Sequence, residues 1–121
     1  MLSRLALLTV VLAVLAFPAS SMAAADVQAA RGCSLSNGEQ RGGLSATYTY
    51  KLRVKRTNCS KGKSVARGFN NCRKGKKAKK CRPSGFRCRE SHVANSSVQR
   101  SASVKCKKGR KVVKFAYTQN K

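Results

Sequence analysis

Hydrophobic and polar positions alternate without a break from Ser45 to Lys55, with Ala46, Tyr48, Tyr50, Leu52 and Val54 on one side and Thr47, Thr49, Lys51, Arg53 and Lys55 on the other. A period of two sustained this long predicts a half-buried strand. The period then changes. Val65, Ala66, Phe69 and Cys72 recur at helical spacing behind the capping candidates Asn58 and Ser60, which predicts a short helix over 60–72. A helix that short, carrying Gly62 and Gly68, does not form alone and has to lie on a sheet. Alternation returns where Phe86 and Cys88 oppose Arg87 and Arg89, and again at Val98, Ala102, Val104 and Cys106, with Arg100 as the discordant member. Lys107 to Arg110 read as a turn into a last strand, in which Val113, Phe115 and Tyr117 alternate with Val112, Lys114 and Ala116. The order strand, helix, strand, strand, strand predicts an α+β fold, a small antiparallel sheet of about four strands with one short helix packed on one face.

The remaining segments lack such periods. Residues 26–44 carry Gly32, Gly38, Gly42 and Gly43 and read as an irregular arm tied down by Cys33. Residues 73–84 are lysine-rich and read as a loop, and 90–97 as a polar connection. Ahead of them all, an apolar run from Leu5 to Phe17 follows Arg4 and ends at Pro18 and small residues. That order is the pattern of a secretory signal peptide, and the run is shorter than the about 20 residues a membrane span needs. The division expected is a signal peptide over 1–25, the arm over 26–44 and a single disulfide-stabilised domain over 45–121. The domain is expected to be secreted or held at the cell envelope, and to be a monomer.

Charge and cysteine content change the picture in two ways. The chain has 27 basic and three acidic side chains in 121 residues, a formal net charge of +24. Self-repulsion on that scale weakens a core that is already small. Six cysteines, Cys33, Cys59, Cys72, Cys81, Cys88 and Cys106, supply a remedy as three disulfides. Six cysteines allow about 15 pairings. Cys72 with Cys81 is the one bridge expected, because it closes the lysine-rich loop. One spacing competes with this reading: Cys72, Cys81, Cys88 and His92 stand close to the pattern of a three-cysteine, one-histidine zinc finger that binds RNA. Export to an oxidising compartment, a middle gap one residue too long and an odd cysteine remainder favour disulfides and no metal.

No motif supports catalysis or a cofactor. A two-histidine phosphodiesterase needs an acid and a base, whereas the chain has one histidine. Glu39 and Glu90 stand in segments that orient neither, and no serine sits in a nucleophile elbow. A non-enzymatic protein is expected.

Two cationic groups remain. If the apolar side of each strand faces the helix, Lys51, Arg53, Lys55, Arg87, Arg89, Lys105, Lys107 and Lys114 share the open face of the sheet. The loop adds Arg73, Lys74, Lys76, Lys77, Lys79, Lys80 and Arg82. A face that serves only solubility mixes both signs. These residues are therefore expected to bind polyanions, whether cell-wall polymers, anionic lipid head groups or extracellular DNA. All six aromatics beyond the signal segment, Tyr48, Tyr50, Phe69, Phe86, Phe115 and Tyr117, fall on the expected core side, so nucleic acid would be held by its backbone alone. Two other readings are a cationic antimicrobial or toxin-like protein acting on membranes and, without export, the zinc-finger-like RNA binder.

The segment from Tyr50 to Tyr117 resembles small exported cysteine-containing basic proteins of actinobacteria, whose function is not known. The residues that carry the resemblance are the strand end from Lys55 to Cys59, Lys63, Val65 and Ala66, the run Gly85-Phe86-Arg87-Cys88, Val104-Lys105-Cys106, Gly109 and Val112 to Phe115. The resemblance implies a strand, helix and hairpin unit and no activity. Cys33, Cys72 and Cys81 are additions to that set, so it implies no pairing.

Overall fold

The computed structural model describes residues 29–121, and the signal-peptide segment lies outside them. Five strands, β1 (Arg31–Gly32), β2 (Tyr48–Lys55), β3 (Arg87–Asn95), β4 (Gln99–Lys108) and β5 (Lys111–Asn120), and one main helix, α1 (Cys59–Gly75), make up the domain. The sheet is antiparallel throughout, in the order β1-β2-β5-β4-β3, with α1 on one face. This is the α+β architecture expected, enlarged by the short edge strand β1.

Local chemistry fixes the ends of these elements. The Asn58 side chain accepts a hydrogen bond from the Lys61 backbone N–H at 2.7 Å, so Asn58 is the cap of α1 and Ser60, the other candidate, lies inside the helix. Gly109, at φ +58°, supplies the left-handed residue of the tight turn that pairs Lys108 with Lys111. Val65, Ala66 and Phe69 project from α1 and are buried against Leu52, Val54, Val113, Phe115 and Tyr117. Phe69 meets Phe115 edge to face at 5.8 Å between ring centres. Gly62, a weak helix former, is where α1 touches β2: a Cβ there would stand 2.6 Å from Val54 Cγ1.

The arm is not irregular. Arg31 and Gly32 pair with β2, a turn kinked at Arg41 and Gly42 spans Glu39–Gly43, and Leu44 is fully buried. Ser36 and Glu39 exchange side-chain to backbone hydrogen bonds, and Glu39 Oε1 lies 3.0 Å from Lys63 Nζ. The buried Asn70 side chain donates to the Leu44 carbonyl at 2.8 Å. The arm's polar groups thus find partners on the helix, which an irregular composition concealed.

The disulfides are Cys33–Cys59, Cys72–Cys81 and Cys88–Cys106. The first ties the arm to the start of α1. The second closes the lysine-rich loop, and the third joins directly paired residues of β3 and β4. The zinc alternative is thereby overturned, since Cys72, Cys81 and Cys88 are spent in disulfides and only His92 of that set remains. Three disulfides fit an oxidising compartment. Among the described residues no helix is long and apolar enough to cross a membrane.

Segments read as loops carry more order than their composition shows. The helix runs on through Arg73 to Gly75, and short 3-10 turns follow at Ala78–Lys80 and Pro83–Gly85. The polar connection over 90–97 is mostly strand. Its Glu90 faces the helix side, where Oε1 accepts from the Tyr117 hydroxyl and Oε2 from Arg100 Nη2 at 2.7 Å. Burial, and then the bond to Glu90, holds the Tyr117 phenol above its ordinary pKa. Arg100, the discordant member of β4, is therefore a partner for a buried carboxylate and a buried phenol.

A candidate binding face on the open side of the sheet

Strand register arranges the cations of the open face in rows. Arg53 on β2 is paired with Lys114 on β5, Lys114 with Lys105 on β4, and Lys105 with Arg89 on β3. Neighbouring strands lie about 4.8 Å apart, so this row of four cations is roughly 15 Å long. The next row on that face reads Lys55, Val112, Lys107 and Arg87. Of the eight residues placed on this face from sequence, seven stand in these two rows. Lys51 joins them from a bulge, where it lines a depression of about 310 Å³ with Lys105, Lys114, Ser91, His92, Ser103 and Ala116.

Like charges directly opposite one another on a sheet are destabilising. Repulsion is felt at Lys105: the charge of Lys107, two residues along the same strand, then that of the paired Lys114, then burial and the charge of Lys55 hold its ammonium below the ordinary lysine pKa. No carboxylate offsets the rows. Among the described residues the acidic side chains are Glu39, paired with Lys63, and Glu90, paired with Arg100.

The lysine-rich loop contributes unevenly. Lys74, Lys76, Lys77, Lys79, Lys80 and Arg82 are exposed. Lys79 and Arg82 come beside Arg87 and Arg89 at the free edge of β3, where with Ala78, Cys88, Glu90 and Val93 they line a depression of about 510 Å³. A second depression, of about 490 Å³ and lined by Arg87, Arg89, Lys105, Lys107 and Gly109, continues this surface onto the open face. Arg73 does not belong to the loop. It sits in the last turn of α1 with its guanidinium 3.8 Å from the Tyr117 ring centre, and it donates to Asn70 at 3.1 Å and to Gln119 at 3.2 Å. Burial pushes its pKa down, which matches a structural role and withdraws it from the binding set.

Two tyrosines were placed on the wrong face by strict alternation. The register of β2 shifts between Tyr50 and Arg53, where Lys51 takes φ +55°, so that Lys51 and Leu52 together oppose Phe115. An extra residue reverses the facing of everything before it. Thr49, 1% exposed, takes the core position, while Tyr48 and Tyr50 stand 44% and 38% exposed on the open side. A second bulge, at His92 with φ +51°, interrupts β3 between Ser91 and Ala94. It brings His92, read from sequence as a loop residue, to the cationic depression. Neither bulge falls at a glycine, and so no composition signal marks them.

In comparisons with known proteins, no family model, curated protein or solved structure matches the chain. The grounds for a functional reading are therefore the fold and the disposition of its charges.

Proposed function

We propose that this protein is a non-enzymatic domain, secreted or held at the cell envelope, that binds polyanions electrostatically through the open face of its sheet. The observation that carries the reading is the row Arg53, Lys114, Lys105 and Arg89, placed in direct register across the long strands with no acidic side chain among them. A repeated anion such as a phosphodiester or an acidic glycan matches such a row, because successive charges of the ligand meet successive charges of the sheet. Its binding relieves repulsion that the free protein has to bear. Lys79 and Arg82 extend the surface around the β3 edge.

The mechanism predicts a steep dependence on salt. Seven cations engaging seven phosphates of duplex DNA give a slope of about −6 in log affinity against log salt, roughly 5,000-fold between 50 and 200 mM. Retention on heparin and on immobilised duplex DNA tests this. Elution that moves steadily with salt supports the reading, and binding that persists unchanged at about 0.5 M salt contradicts it.

A further inference from the structure

The open face has two zones. Beyond the cationic rows, the next row reads Tyr50, Ala116, Ser103 and Ser91, and the one after it Tyr48, Thr118, Ser101 and Ala94. These positions carry no charge. Apart from the tyrosines their side chains are small, which leaves the two rings standing clear at one side of the sheet.

Tyr48 and Tyr50 lie two residues apart on β2, about 7 Å along the strand. Gln40 from the arm and Gln99 from β4 flank them, and with Thr49 and Thr118 they line a depression of about 310 Å³. Lys51 Nζ stands 5.9 Å from the centre of the Tyr50 ring, so a cation marks the boundary between the aromatic zone and the charged rows. The bulge at Lys51 produces both effects, turning the tyrosines outward and adding a lysine beside them.

From this juxtaposition we propose that the polyanion is a single-stranded nucleic acid, its phosphates on the rows Arg53–Arg89 and Lys55–Arg87 and two successive bases stacked on Tyr50 and Tyr48. The proposal rests on the polyanion reading of the same face and adds the ligand class. A duplex keeps its bases stacked on one another and offers the tyrosines nothing, whereas a single strand offers a flat ring beside each charge. Gln40 and Gln99 in the same depression are held by the protein itself, their Nε2 groups donating to the Leu35 carbonyl and to Asn120 Oδ1. Stacking tolerates any base, so little sequence preference is expected.

The test compares a labelled 12-mer of oligothymidylate, a 12-base-pair duplex and a heparin fragment by fluorescence anisotropy at one salt concentration, using wild type, Tyr48→Ala, Tyr50→Ala, Tyr48→Phe and Tyr50→Phe. The single strand is expected to bind at least tenfold more tightly than the duplex. Each alanine variant is expected to weaken it by roughly ten- to a hundredfold, with the phenylalanine variants close to wild type. Heparin affinity should be the same in all five proteins, and tyrosine fluorescence should be quenched by oligothymidylate and unaffected by heparin. Equal affinity for single strand and duplex, or alanine variants indistinguishable from wild type, overturns the proposal. Heparin binding that falls with the tyrosines overturns it too and assigns the rings to sugars. A separate variant, Arg89→Gln with Lys105→Gln and Lys114→Gln, isolates the underlying reading: if it binds heparin as wild type does, the electrostatic face itself is wrong.

Discussion

Lys105 stands at the centre of the cationic face, opposite Arg89 on one side and Lys114 on the other. Its lowered pKa has a consequence for stability. A lysine that gives up its proton more readily in the folded chain than in the unfolded one destabilises the fold while it is charged. Stability attributable to Lys105 therefore rises with pH through the window between its lowered value and the ordinary lysine value. A heteronuclear NMR titration should find this amine below the ordinary range, moving up in Lys107→Gln and Lys114→Gln. For the same reason Lys105→Gln should raise the melting temperature while weakening heparin binding, the opposite pairing to that of a structural residue. Arg73 supplies the contrast. Arg73→Ala removes a guanidinium stacked on Tyr117 and bonded to Asn70 and Gln119, and should cost about 1–3 kcal/mol in urea unfolding with polyanion affinity changed less than twofold. Composition placed both cations in binding segments. What separates them is that the helix ran a turn longer than its apolar period and left Arg73 half-buried against Tyr117.

Among the elements, β2 shows how much of the fold was legible. Its existence, the buried Leu52 and Val54 and the outward Arg53 and Lys55 all follow from alternation. The facing of Tyr48 and Tyr50 does not, because one left-handed residue at Lys51 shifts the phase, and nothing in a lysine side chain announces that conformation. The arm was hidden for a different reason, since its partners Asn70, Lys63 and Arg67 lie on a helix more than twenty residues away along the chain. Gly62 reverses a local argument as well. Alanine is the better helix former by about 1 kcal/mol, yet its Cβ would collide with Val54, so Gly62→Ala should destabilise by about 1–3 kcal/mol. Replacing Cys72 and Cys81 together by alanine opens a loop of sequence separation 9 and should cost about 2–3 kcal/mol. Thermal unfolding with heparin retention separates the roles: lost stability with near-normal retention would place binding on the sheet, not on the closed loop.

Across the whole molecule, excess positive charge and a small core pull against each other, and the disulfides resolve the conflict by restricting the unfolded chain. This frees the sheet to carry like charges side by side. The central claim is that the position of the charges, not their sum, binds the polyanion. The direct measurement compares two variants that lose three positive charges each. One replaces Arg89, Lys105 and Lys114 with glutamine on the open face, and the other replaces the exposed Arg41, Lys61 and Lys111, which lie outside both cationic groups. Isothermal titration of both with a heparin fragment at 100 mM salt should show the first weakened by more than tenfold and the second by less than threefold, with the first at least as stable as wild type. Equal weakening in the two would contradict the account and leave net charge as the whole of the effect.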